Sequence, residues 1–270
     1  MVIKPPQTYV FDLDGVIYRG NEAQPHASEA VRQLRLRGRK VFFFTNNTTQ
    51  SRLDFQTKLA GMDIPAELGE IMTSAYATAL YLHQEGTNGS RVYTVGESGL
   101  IKELESVGLK IVTDPDKEAV DFVVVGLDRH FTYDKLTKAQ QAILSGARFI
   151  ATNRDATYPI EGGKIIPGGG SMVSAIETAS GAAPITIGKP ETYALEMVLE
   201  LAGSVPEESV IVGDRLETDI ALGNKLNMHS VLTLTGVSDR WSAENAPPEM
   251  RPERIIEDLI ELLDESWCHG

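Results

Sequence analysis

The sequence predicts an α/β protein in which buried strands alternate with helices around a parallel sheet. Its first sign is Tyr9-Val10-Phe11, an apolar, β-prone run without polar alternation, as in a strand covered on both faces. Ala27, Ala30, Val31 and Leu34 follow at helical spacing, Gly38 stops that pattern, and a second apolar run, Val41-Phe42-Phe43-Phe44, comes directly after it. A strand, a helix and a strand within so few residues form a βαβ unit, and its right-handed crossover makes the two strands parallel. Both strands therefore deliver the residues that follow them to the same edge of the sheet.

Composition narrows the function. A length of 270 residues with 42% hydrophobic content suits two domains better than one. The formal net charge of -13 argues against nucleic acid, whose phosphate backbone demands a basic face. Met1-Val2-Ile3-Lys4-Pro5-Pro6 has no apolar signal core, and nothing approaches the ~20 apolar residues of a membrane span. The expectation is a cytoplasmic protein with no membrane partner. Cys268, the only cysteine, leaves no disulfide, thiolate zinc cluster or buried thiol nucleophile to consider, and the five histidines lack metal-ligand spacing.

Further along, residues 51–60 read as a helix ended by Gly61, 71–73 as a short strand and 75–84 as a helix. The polar stretch Glu85-Gly86-Thr87-Asn88-Gly89-Ser90 then marks a candidate domain boundary. Beyond it, strands over 92–95, 122–125 and 149–152 alternate with helices over 99–107 and 133–146, a second α/β unit. Residues 153–170 are loop-rich, with Gly162-Gly163 and Pro167-Gly168-Gly169-Gly170; the spacing fits neither phosphate-loop nor dinucleotide fingerprint, so it is read as a shaped turn before a helix over 171–180. The parallel pattern resumes at 185–188 and continues with a helix over 193–202, a strand over 210–212, a helix over 219–226, a strand over 230–234 and a closing helix over 252–263.

Four of these strands end in a chemically marked residue: Asp12 with Asp14, Thr45 with Asn46, Lys189, and Asp214. Asp12 and Asp14 are two apart, so an extended backbone through Leu13 points both carboxyls the same way, and Gly15 then lets the chain turn. Each has an ordinary explanation alone: Thr45 and Asn46 as helix caps, Lys189 as a solvated amine, Asp214 as a turn former. The repetition is the signal, because ligands of open parallel sheets bind at the carboxyl ends of the strands.

Phe-Asp-Leu-Asp-Gly-Val, Thr-Asn-Asn, Gly-Lys-Pro and Gly-Asp-Arg-Leu-Glu-Thr-Asp-Ile, in that order, resemble the motifs of the haloacid dehalogenase superfamily across nearly the whole chain. The nearest likeness is to its NagD-like and p-nitrophenylphosphatase branch, which includes pyridoxal phosphate and phosphoglycolate phosphatases. The resemblance implies a Rossmann-like core over residues 1–87 and 184–270 and an α/β cap domain inserted at 88–183. It also implies Mg²⁺-dependent hydrolysis of a small phosphorylated metabolite. The interval from Asp14 to Thr45 is filled by one helix and one strand, whereas that from Thr45 to Lys189 has ample room for an insertion.

By resemblance, Asp12 is the nucleophile that forms an aspartyl-phosphate and Asp14 is the acid and base, the group that the superfamily's dehalogenases lack. Asp12, Asp214 and the main-chain carbonyl of Asp14 hold Mg²⁺, and Asp219 supports them. Lys189 neutralises phosphate charge and restrains Asp12, while Thr45 and Asn46 donate hydrogen bonds to phosphate oxygens. The cap loop with Asn153, Arg154, Asp155 and Tyr158 matches the substrate-specificity loop of large-cap phosphatases, and members of the branch pair through their caps, which points to a homodimer. Two alternatives stand beside the phosphatase: a phosphomutase or phosphotransferase of the same superfamily, disfavoured by the cap's position, and a non-catalytic phosphate-binding module, disfavoured by intact motifs.

Overall fold

Thr8–Phe11 is a strand with every residue buried, and it sits in the middle of its sheet. The computed structural model describes residues 5–86, 89–159 and 164–264. The expectations for Met1-Val2-Ile3-Lys4, Thr87, Asn88, Gly162-Gly163 and Cys268 lie outside the described residues. The chain divides into two compact units, Met1–Thr45 with Phe55–Met72 and Ala194–Gly270, and Asn46–Asp54 with Thr73–Tyr193. Residues 88–183 fall wholly within the second of these. The segments 46–54, 73–87 and 184–193, expected in the core, also group with the second unit.

In the first unit the sheet has six strands, ordered Arg254–Ile256, His229–Thr233, Ser209–Gly213, Thr8–Phe11, Lys40–Thr45 and Ile71–Thr73. The pairings from Arg254–Ile256 across to Lys40–Thr45 are all parallel. Phe11 faces Val212 on one side and Phe43 on the other, so the residues after Phe11 and after Val212 emerge side by side. The helix Ala27–Leu36 buries Ala27, Ala30, Val31 and Leu34, the stripe legible in the sequence, and these join Tyr9, Phe11, Leu13 and Phe43 in one apolar cluster. Gly38 ends it at φ +76°, a left-handed turn that costs glycine little.

The second unit has a five-stranded sheet, ordered Ile185–Thr186, Arg148–Ala151, Phe122–Val125, Arg91–Val95 and Lys110–Val112, with every pairing parallel. Val123, Val125, Phe149 and Ala151 pack there with Ala139, Ile143, Val173 and Ile176 from its helices. A short antiparallel ribbon, Thr157–Pro159 against Ile165–Pro167, precedes the helix Gly169–Ser180.

Three expectations are corrected. Ile185–Thr186 does not resume the first sheet; it pairs with Arg148–Ala151 in the second, because strand membership is set by hydrogen-bonding partners rather than by the local pattern. The closing helix is instead the strand Arg254–Ile256 followed by the 3₁₀ turns of Leu259–Leu263, since the apolar pair Ile255-Ile256 finds an open sheet edge beside His229–Thr233. The helix after Asp214 begins as a π-helical segment, Leu216–Ile220, before Ala221–Lys225. Among the described residues, no helix is long and apolar enough to cross a membrane.

At that same edge, Glu253 Oε2 lies 2.7 Å from His229 Nδ1. The carboxylate raises the imidazole above its ordinary 6.5, outweighing the partial burial that lowers it. With the folded pKa above the unfolded one, the pair's stabilisation is complete below pH ~6.5 and fades as pH rises through the folded value. His229→Gln is therefore expected to lower the melting temperature more at pH 6 than at pH 9. Thermal melts of both proteins at the two pH values check this, and an equal loss at both would remove the ion pair as the cause.

Candidate active site

Asp12 extends its strand by one more ladder bond, its N–H donating to the Val212 carbonyl at 2.8 Å. Leu13 is fully buried in the apolar cluster, Asp12 is 8% exposed and Asp14 is partly buried; the strand stops at Phe11 and the chain already bends at Leu13, whose carbonyl accepts from the Ile17 N–H at 2.9 Å. Asp214 follows the neighbouring strand Ser209–Gly213, and Thr45 closes the strand on the other flank. Three adjacent strands thus bring Asp12, Asp214 and Thr45 to one edge of one sheet.

Asp219 arrives from the π-helical segment and is 1% exposed. Its approach depends on Gly213: a Cβ there would lie 2.0 Å from the Asp219 Cβ, closer than any real contact. Gly15 performs the matching service for Asp214, since its φ of +92° suits only glycine and a Cβ would meet Asp214 Oδ2 at 2.4 Å. Two backbone donors and one hydroxyl then hold these acids: Val237 N–H donates to Asp214 Oδ2 at 2.9 Å, and Arg215 N–H and the Thr218 hydroxyl donate to Asp219 Oδ2, each at 3.3 Å.

Among the described residues, Asp12, Asp214 and Asp219 offer carboxylate oxygens that all lie within 4.8 Å of one another. Carboxylates so close, with Asp12 8% and Asp214 2% exposed, form a site that a cation would favour. The donor set is all carboxylate oxygen, with no imidazole or thiolate, which suits a hard divalent ion such as Mg²⁺ rather than a soft one. Asp219, expected only to support the site, belongs to the cluster itself.

The remaining motif residues lie in the second unit. Asn46 Oδ1 accepts from the Lys189 N–H at 2.9 Å, and its Nδ2 donates to the Lys189 carbonyl at 3.1 Å and to Asp155 Oδ1 at 3.0 Å. The Asn46 carbonyl accepts from Asn153 Nδ2 at 2.8 Å and from the Ser74 hydroxyl at 2.9 Å. Lys189, 3% exposed, heads a loop closed onto this network, and Gly188 makes room for it: a Cβ there would lie 2.5 Å from Asn46 Oδ1.

The four cap residues part ways. Asn153 is 3% exposed and bonded to Asn46, and Asp155 also bonds Asn46, so both serve the network rather than an open surface. Arg154 pairs with Glu177, the ordinary surface partner. Tyr158 stands nearest the motif's third residue, its hydroxyl accepting from Asn47 Nδ2 at 3.0 Å. Ser74 and Asn47 carried no site assignment in the sequence. Asn47 stood inside Thr-Asn-Asn, but Ser74 had no local signal, since only the fold brings it to the Asn46 carbonyl.

A family model described as haloacid dehalogenase-like hydrolase matches residues 9–110, and a second, HAD-hydrolase-like, matches residues 186–262. The 5'-nucleotidase YutF of Bacillus subtilis is 38% identical over 97% of this chain and 99% of its own. A glycerol phosphate phosphatase from Mycobacterium tuberculosis, solved in complex with magnesium, superposes with a TM-score of 0.89 at 33% identity, over 98% of this chain and 79% of that one. The p-nitrophenyl phosphatase from Archaeoglobus fulgidus has the same TM-score and identity, over 97% of this chain and 99% of that one. The chain belongs to the haloacid dehalogenase-like hydrolase family. Its likeness to the last of these proteins places it with the p-nitrophenylphosphatase branch that its motifs resemble.

Gly213→Ala is expected to displace Asp219 and abolish the rise in melting temperature that millimolar Mg²⁺ gives the unaltered protein. An undiminished rise in the variant would show that Asp219 has no part in holding the ion.

Proposed function

We propose that this chain is a phosphatase of small phosphate monoesters in which Asp12 is the nucleophile. The observation that carries the reading is the group of Asp12, Asp214 and Asp219 at the carboxyl edge of a parallel sheet, headed by the first acid of Asp-x-Asp. The relatives are named for nucleotides, glycerol phosphate and nitrophenyl phosphate, and a small phosphate monoester is the class common to them.

In the first step an Asp12 oxygen forms a bond to phosphorus as the ester oxygen leaves, and the Asp14 carboxylic acid gives that oxygen its proton. In the second, the Asp14 carboxylate takes a proton from water, the water oxygen bonds to phosphorus, and Asp12 departs as a carboxylate with phosphate released. The partial exposure of Asp14 suits a group that must exchange protons with solvent. Asp12, Asp214, Asp219 and the Asp14 carbonyl would hold Mg²⁺, which when bound would supply positive charge between the phosphate and these acids. Phosphoryl transfer is dominated by positioning and charge stabilisation, which assigns Lys189 to the phosphate's negative charge and Thr45 to a phosphate oxygen. Choice of leaving group is assigned to the inserted segment 88–183, with Tyr158 as its polar aromatic contact.

Phosphate release over a panel of metabolites, with Mg²⁺ and with chelator, tests this reading directly. Asp12→Asn is expected to remove turnover while the protein stays folded, and near-native rates in that variant would end the covalent route. Asp14→Asn is expected to slow turnover by the ~10²–10⁴-fold of lost acid–base catalysis, and by less for a nitrophenyl ester, whose leaving group needs little protonation. An equal loss on a nitrophenyl and an alkyl ester would take the leaving-group proton away from Asp14. Tyr158→Ala is expected to weaken selection among metabolites by roughly 1–3 kcal/mol, read as ratios of kcat/KM. A uniform loss over all substrates would assign Tyr158 to packing against Asn47.

A further inference from the structure

We infer that Asn46 is a positioning residue for Lys189 and that its side chain does not donate to the phosphate. This rests on the hydrolase reading above, and it changes which atoms of the Thr-Asn-Asn motif meet the substrate.

The argument is a count of hydrogen-bonding capacity. A side-chain amide has two N–H donors and one carbonyl acceptor. At Asn46 both donors are committed, one to the Lys189 carbonyl at 3.1 Å and one to Asp155 Oδ1 at 3.0 Å. The acceptor takes the Lys189 N–H at 2.9 Å. The first and third of these bonds close a ring around the Lys189 main chain and fix both of its polar groups at once, as an added strand would. Asn46 is 6% exposed, so a donor turned towards a phosphate would have to give up its bond to the Lys189 carbonyl or to the Asp155 carboxylate.

Three neighbours show that the ring is built rather than incidental. Gly188 is the only residue type that tolerates Asn46 Oδ1 where a Cβ would lie 2.5 Å away, and its own N–H donates to the Thr152 carbonyl at 2.8 Å. Asn153 and Ser74 hold the Asn46 carbonyl, so the backbone from which the amide projects is fixed as well. Gly188-Lys189-Pro190 is thereby clamped at its entry, and the loop carrying Asp155 is tied to the same amide. A lysine has a long, flexible stem, and fixing its backbone shortens the range over which the ammonium can wander. Asn46 then acts on the reaction through Lys189.

A double-mutant cycle on the full chain with Mg²⁺ decides this. It is run on kcat/KM for a fluorogenic aryl phosphate and on the dissociation constant of orthophosphate by calorimetry. Asn46→Ala alone is expected to lower kcat/KM by about 10–100-fold, mostly in kcat. In a Lys189→Ala background the same change is expected to cost less than about twofold, because the group it positions is gone. Asn46→Asp, close to isosteric, keeps the acceptor for the Lys189 N–H and loses both donors; it serves as the second arm should the alanine variant melt early, with the same collapse expected. Equal losses in both backgrounds would overturn the inference and return the Asn46 amide to the phosphate. An unaltered protein that neither hydrolyses the ester nor binds orthophosphate would defeat the hydrolase reading, and the positioning role with it; additive losses in an active enzyme would defeat the positioning role alone.

Discussion

The first unit is built around an electrostatic problem. Asp12, Asp214 and Asp219 gather carboxylate oxygens within 4.8 Å in a place with little water, where like charges repel and an all-oxygen donor set suits a hard divalent ion. Everything nearby accommodates it. The strands of Asp12 and Asp214 are adjacent and parallel, so both acids leave the sheet at the same level. Gly213 and Gly15 yield the space that side chains would fill, and Val237, Arg215 and Thr218 aim donors at the acids.

The second unit solves a different problem, that of holding a cationic side chain in one place. Its answer is a saturated polar network in which Asn46, Asn153, Asp155 and Ser74 satisfy one another and the Lys189 main chain. Buried networks of this kind specify one arrangement because any alternative leaves a donor or acceptor unmet. Thr-Asn-Asn therefore divides its labour: Thr45 ends a strand of the first unit, Asn46 anchors Lys189, and Asn47 reaches Tyr158.

How much could be read in advance followed the range of the interactions. The strand Thr8–Phe11, the amphipathic helix Ala27–Leu36 and the strand Lys40–Thr45 are set by neighbours a few residues away, and their residues announced them. The sheet of Ile185–Thr186 and the strand character of Arg254–Ile256 were misjudged because each is decided by a partner far along the chain. Ser74 was invisible, since a serine opening a helix looks the same whether or not a carbonyl 28 positions away accepts its proton.

For this protein the sequence by itself determined the fold class and the family, because these rest on apolar periodicity and on residue types placed directly after strands. Only the tertiary structure decided that Asp219 joins Asp12 and Asp214, that Lys189 follows a strand of the second sheet, and that the Asn46 amide is spent on the Lys189 main chain. The physical reason is that a residue's type fixes how many hydrogen bonds and charges it can offer, while which partner takes them depends on distances that exist only once remote segments have packed.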